Sequence, residues 1–168
     1  MGLTDEQDVR PPRPTGSHLE TLCALLDYSR EAMLRKIAGL SDEELRRAMT
    51  PSGVTLLGMV KHLAYTERWW FRTTFAGEEH DFSWADDDPD FDWRIEPGET
   101  TAAIVALYEA ETARSREIVA NATLEDVSRR EGTRYPLGWL LPYMIQEVSR
   151  HNGHADILRE LIDGQTGR

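Results

Sequence analysis

Apolar residues recur at helical spacing in four long stretches of the chain, and none alternates convincingly over the length of a strand. Leu19, Leu22, Leu26, Met33 and Ile37, with Arg30, Glu31, Arg35 and Lys36 around them, predict a first helix from Ser17 to about Gly39. Leu56, Met59, Val60, Leu63, Trp69, Trp70 and Phe71 predict a second from about Thr55 to Phe75, stopped near Gly77. Ile104, Leu107, Tyr108, Ser115, Ile118 and Val119 mark a third, capped by Thr100 and ending near Ala120. The fourth runs from about Leu137 to Ile162, with Pro142 near its start and Asp163-Gly164 as its stop.

Four long helices joined by loops predict an all-α fold, a four-helix bundle with up-down helices. Ser41-Asp42-Glu43-Glu44 has the form of a capping box and predicts one or two further turns. Thr50-Pro51-Ser52-Gly53 breaks the chain, and 121–136 is a locally basic connector. Residues 1–16, with Pro11, Pro12 and Pro14, read as a flexible N-terminal arm. Residues 17–164 read as a single domain.

The segment 77–98 fits neither period. It is acidic and aromatic, as in Asp86-Asp87-Asp88-Pro89-Asp90-Phe91-Asp92-Trp93. Its aspartates lack the glycine and closing glutamate of a calcium loop. The reading is a long acidic aromatic loop that covers the bundle, with Trp84, Phe91 and Trp93 packed back onto it. Glu111 shares a row with Ile104, Leu107 and Tyr108, so it either faces the interior or flanks it at the surface.

Net charge changes the range of partners. The 168 residues carry 19 basic and 30 acidic side chains, a formal charge of −11. Such a chain is repelled by phosphate backbones, so no nucleic acid is expected as a partner. No apolar run reaches the length of a membrane span, and the start of the chain lacks a signal pattern, so no membrane is expected either. Cys23 is the only cysteine, which excludes an intrachain disulfide and suits a reducing, cytoplasmic location. It lies in the row of Leu19, Leu22 and Leu26 and reads as a buried, inert thiol.

The candidate chemistry lies in the fourth helix. Glu147, His151 and His154 are four and seven positions apart and share one helix face. A carboxylate and two imidazoles in one row suit a divalent transition metal. One helix face rarely closes such a site, so another ligand must come from elsewhere. Of the five histidines, His62 alone sits inside a second amphipathic helix, in a row with Met59, Thr66 and Trp69 that points inward. His62 and the Glu147/His151 pair both fall near the middle of their helices, at matching depth. The candidate metal ligands are therefore His62, Glu147 and His151, with His154 as an alternative or additional ligand.

With those residues in view, the chain resembles the DinB-like superfamily. The resemblance is carried by Val60-Lys61-His62-Leu63-Ala64 and Glu147-Val148-Ser149-Arg150-His151-Asn152-Gly153-His154-Ala155-Asp156, supported by Pro51-Ser52-Gly53, Glu67-Arg68-Trp69-Trp70-Phe71 and Asp86-Asp87-Asp88-Pro89. It extends over almost everything from Leu19 to Gly164 and looks nearest to the actinobacterial DUF664 branch. It implies a helical bundle with a divalent metal, zinc or nickel, on three residues. In the similar mycothiol-dependent maleylpyruvate isomerase the pattern is one His followed by Glu-x-x-x-His, which falls here on His62, Glu147 and His151. Other members use three histidines, which keeps His154 in view. The implied function is a metal-dependent thiol S-transferase of the mycothiol type or a related hydrolase. Its partners would be a small-molecule thiol and an electrophile. The resemblance leaves a homodimer open.

Two further readings stand beside the enzyme. One is a non-catalytic bundle that binds a small ligand or serves a stress response, with the acidic loop as a lid. The other is a structural dimer in which Glu147 and the histidines form a buried hydrogen-bonded network.

Overall fold

The computed structural model describes residues 10–13 and 16–166. Most of the predicted arm at 1–16 lies outside the described residues. Four long helical stretches carry the fold: α1 (His18–Ile37), α3 (Leu56–Glu67) with a π-helical continuation (Arg68–Phe75), α5 (Thr101–Ala120) and α6 (Leu137–Asp163). Two single-turn helices, α2 (Asp42–Leu45) and α4 (Trp84–Asp87), sit in the connections. Among the described residues the only β pairing is an isolated antiparallel bridge between Val127 and Pro136. The chain is thus an all-α bundle.

Local chemistry sets the helix ends. Ser17 and Glu20 cap the start of α1 reciprocally, and Ser41 and Glu44 do the same for α2. The hydroxyls of Thr55 and Thr100 accept from the third residue of α3 and α5. Gly164 closes α6 at φ 79°, a left-handed conformation that costs glycine nothing.

α1 packs along α6 and α3 along α5, and α3 also meets α6. Leu26, Met33, Leu57, Met59, Leu63, Phe71, Tyr108, Leu140, Met144 and Val148 fill the space between them and are buried. The consequence for function is that α3 and α6, which carry the candidate histidines, are neighbours.

Charge is buried in this core as well. The Arg30 guanidinium donates to both carboxylate oxygens of Glu67 at 2.8 and 2.6 Å, and Asp27 takes a third bond at 2.9 Å. Burial works against the arginine's charge, but these carboxylates outweigh it and hold its pKa above the usual value. Glu111 is interior, and takes Arg68 and Arg72 as partners. It serves this ion-pair network.

Two local features differ from the periodicity. The second helix does not run as one α-helix to Phe75. After Glu67 the turns widen, and the Ala76 amide reaches back five residues to the Phe71 carbonyl at 2.9 Å. Three consecutive aromatics then point three ways: Trp69 to Phe82 and Arg130, Trp70 to Tyr143, and Phe71 into the core. The carbonyls of Thr74 and Phe75 are taken up by the amides of Arg130 and Arg129 in the connector. The second feature is the 77–98 segment, which contains the helical turn α4. It packs onto α3 as a cover, with Trp84 and Phe91 edge-on to Tyr65 at 5.5 and 5.9 Å. Cys23 is half-buried rather than buried, and burial pushes its thiol pKa up.

Candidate metal centre

His62 stands on α3, and Glu147 and His151 stand one turn apart on α6. The structure brings the three together. One donor atom from each lies within 4.8 Å of the others. His62 Nε2 is 3.9 Å and His151 Nε2 is 3.1 Å from the same oxygen, Glu147 Oε1. Bonds of about 2.1 Å around a tetrahedral ion separate neighbouring donors by roughly 3.4 Å, a spacing that these two distances bracket. His154 is not part of this group. It is exposed, and its ring centroid lies 5.7 Å from that of His151. His80 pairs with Thr73 instead, at 3.1 Å.

The surroundings hold each candidate ligand in place. His62 Nδ1 lies 2.8 Å from Asp92 Oδ2, in the covering segment. The carboxylate favours the imidazole proton on Nδ1 and so a lone pair on Nε2, which lies toward Glu147 Oε1 and 3.4 Å from the Thr66 hydroxyl. Trp93 stacks on the His62 ring with centroids 4.0 Å apart and planes 17° apart, and meets His151 edge-on at 5.3 Å. Glu147 Oε2 accepts from Arg150 at 2.9 Å, which leaves Oε1 for the histidines. Burial lowers the His151 pKa, as does the neighbouring His62. The hydrogen bond to Glu147 opposes the shift without cancelling it. His151 is therefore neutral at neutral pH, the form that can ligate a metal. Its Nδ1 is buried without a hydrogen-bond partner. The donor set, the hydrogen-bonded carboxylate behind His62 and the neutral buried imidazole together fit a divalent ion.

Sequence reasoning missed the group that delivers Asp92 and Trp93. Lys61 is fully buried, and its ammonium donates to the Arg94 carbonyl at 2.8 Å and to Glu99 at 3.0 Å. It also lies 4.4 Å from the centre of the Phe91 ring. The residue beside the candidate ligand thus anchors the covering segment. Gly58, one turn earlier, lets that segment come close: a Cβ there would sit 2.2 Å from the Trp93 carbonyl oxygen. The available signals were a lysine and a glycine inside an otherwise apolar helical row, and an aspartate between two aromatics.

A model of the family Mycothiol-S-transferase matches residues 21–164. The chain belongs to the Mycothiol-S-transferase family. That membership places it in the DinB-like superfamily and accounts for the helical bundle. No curated protein matches the chain. The match to the Mycothiol-S-transferase family spans His62, Glu147, His151 and the whole covering segment. Among the described residues, no helix is long and apolar enough to cross a membrane.

Proposed function

We propose that the protein holds a divalent metal, zinc or nickel, on His62, Glu147 and His151, and transfers a mycothiol-type thiol to a small electrophile. The observation that carries this is the convergence of three donor atoms within 4.8 Å from two helices of a chain in this family. Three protein ligands leave room for an exogenous one. His62, Glu147 and His151 would hold the metal, which would supply Lewis-acid chemistry that favours a bound thiol as thiolate at neutral pH.

The chain's own residues supply the rest. Asp92 keeps the proton of His62 on Nδ1 and its lone pair turned inward. Glu147 brings negative charge to a site where His151 is neutral. Arg150 ties down the second oxygen of Glu147 and so fixes which one faces the imidazoles. Trp93 covers one face of His62 and keeps water from it.

The test is elemental analysis of protein purified without chelator, followed by an assay of mycothiol consumption with an electrophile. One metal per chain, lost in His62→Ala together with the transfer rate, supports the proposal. A metal-free wild type, or a His62→Ala variant with full metal content, overturns the site.

One observation favours a second reading. Glu147 already has Arg150 and His151 as hydrogen-bond partners, as a purely structural network requires. In that case Glu147→Gln lowers stability and the wild type carries no metal.

A further inference from the structure

A cleft of about 620 Å³ opens beside the candidate centre. Val54, Met59, Trp93, Ile157 and Leu158 line it, together with His151, His154 and the cationic Arg150. It shares Trp93 and His151 with the metal-ligating group, so anything bound in it lies against that group. The size suits a small organic molecule. Its lining is mainly aliphatic and aromatic, with the hydroxyls of Thr50 and Ser52 at its edge. Those hydroxyls are engaged with each other at 3.0 Å. Ile157 is 60% exposed, a large aliphatic side chain left in water at the rim of an apolar hollow.

We propose that this cleft receives the electrophile, that the accepted class is a small apolar molecule with an aliphatic tail, and that Ile157 is a specificity-determining residue for that tail. The proposal rests on the thiol-transfer reading for its chemistry and on the cleft alone for its binding. For an α,β-unsaturated ketone the step balances without any further reactant. The thiolate sulfur bonds to the β carbon, the alkene π pair moves to the α carbon, and that carbon takes a proton from solvent to replace the one the thiol released. The tail lies along Ile157, Val54 and Trp93, the apolar lining residues that keep exposed surface, while the reacting carbon lies toward His151. Apolar burial predicts tighter binding as the tail grows, by up to about fourfold per buried methylene, until the cleft is filled.

The experiment uses the full chain loaded with zinc and two ligand series. Saturated 2-alkanones of increasing length report binding without reaction, by titration calorimetry. The matching 3-alken-2-ones report transfer from mycothiol. In the wild type, both the 2-alkanone Kd and the enone KM fall with chain length. Ile157→Asp, at a position 60% exposed, flattens both trends at unchanged zinc content and unchanged melting temperature. Absence of a chain-length trend in the wild type, or an undiminished trend in Ile157→Asp, overturns the proposal. Alkanone binding that follows chain length and depends on Ile157, with no transfer of any enone, supports the cleft and overturns the thiol-transfer reading instead.

Discussion

Asp92 Oδ2 lies 2.8 Å from His62 Nδ1, although 30 positions of chain separate the two residues. The bond ties the covering segment to the candidate centre and decides which nitrogen of His62 is free to bind. Removing a hydrogen-bonded carboxylate behind a ligating histidine typically costs 10–100-fold in metal affinity. Asp92→Asn keeps the size of the side chain and most of its packing. Zinc affinity, measured by competition with a chromogenic chelator, is expected to drop within about that range, while the melting temperature of the metal-free protein changes little. Equal affinities in wild type and variant would show that Asp92 does not support the site.

Gly58 makes a different kind of prediction. Replacing a helical glycine by alanine ordinarily stabilises a helix, by about 1 kcal/mol. Here the added Cβ would meet the Trp93 carbonyl oxygen at 2.2 Å. That atom is backbone and cannot turn aside, so the covering segment has to move. Gly58→Ala is therefore expected to lower the melting temperature against the helix propensity, and to weaken the stack of Trp93 on His62. Zinc affinity falls with it. A variant more stable than the wild type would show that the segment yields freely.

The contrast between what periodicity revealed and what it concealed follows from the range of each interaction. The four long helices and their caps rest on neighbours three or four positions apart, such as Ser41 with Glu44 and Thr100 with Ala103. Those contacts were legible. His62, Glu147 and His151 were legible as inward positions at similar depth, because a bundle places equal depths side by side. Trp93 was legible as packed back onto the bundle, but its stack on His62 and the role of Asp92 were not, since the 77–98 segment has no period and its path depends on Lys61, 33 positions from the Arg94 carbonyl it holds. Nor was the widening after Glu67, because the pattern of apolar residues continues through it unchanged. Glu111 had two readings from its row alone. Its two arginine partners, 43 and 39 positions away, decide between them.

The pair of Arg30 and Glu67 offers a stability test far from the chemistry. Both side chains are almost wholly excluded from water, at 5% and 0% exposure. Removing one partner leaves the other charge buried, a loss of about 3–5 kcal/mol. Glu67→Leu is expected to cost about that much in urea unfolding. The double variant Arg30→Met/Glu67→Leu should recover much of the loss, because neither charge then remains. A double variant no more stable than the single one would point to the widened turns after Glu67, rather than the ion pair, as what the glutamate supports.

Acid stability of the metal-free protein can be traced in part to His151. Its pKa in the folded chain lies below the ordinary histidine value of 6.5, with burial as the main cause. At pH 8 the imidazole is neutral both folded and unfolded, and its contribution does not vary. As the pH falls through 6.5, the unfolded chain takes up a proton that the folded chain still refuses. The unfolded state is favoured, and stability falls until the folded-state pKa is reached. Below it both states are protonated and the loss levels off. His151→Gln removes this titration, so its unfolding free energy should decline less steeply between about pH 7 and 5 than that of the wild type. Urea unfolding of both metal-free proteins across that range checks the difference. Parallel curves would mean that His151 takes up its proton as readily folded as unfolded, contrary to its burial between α3 and α6.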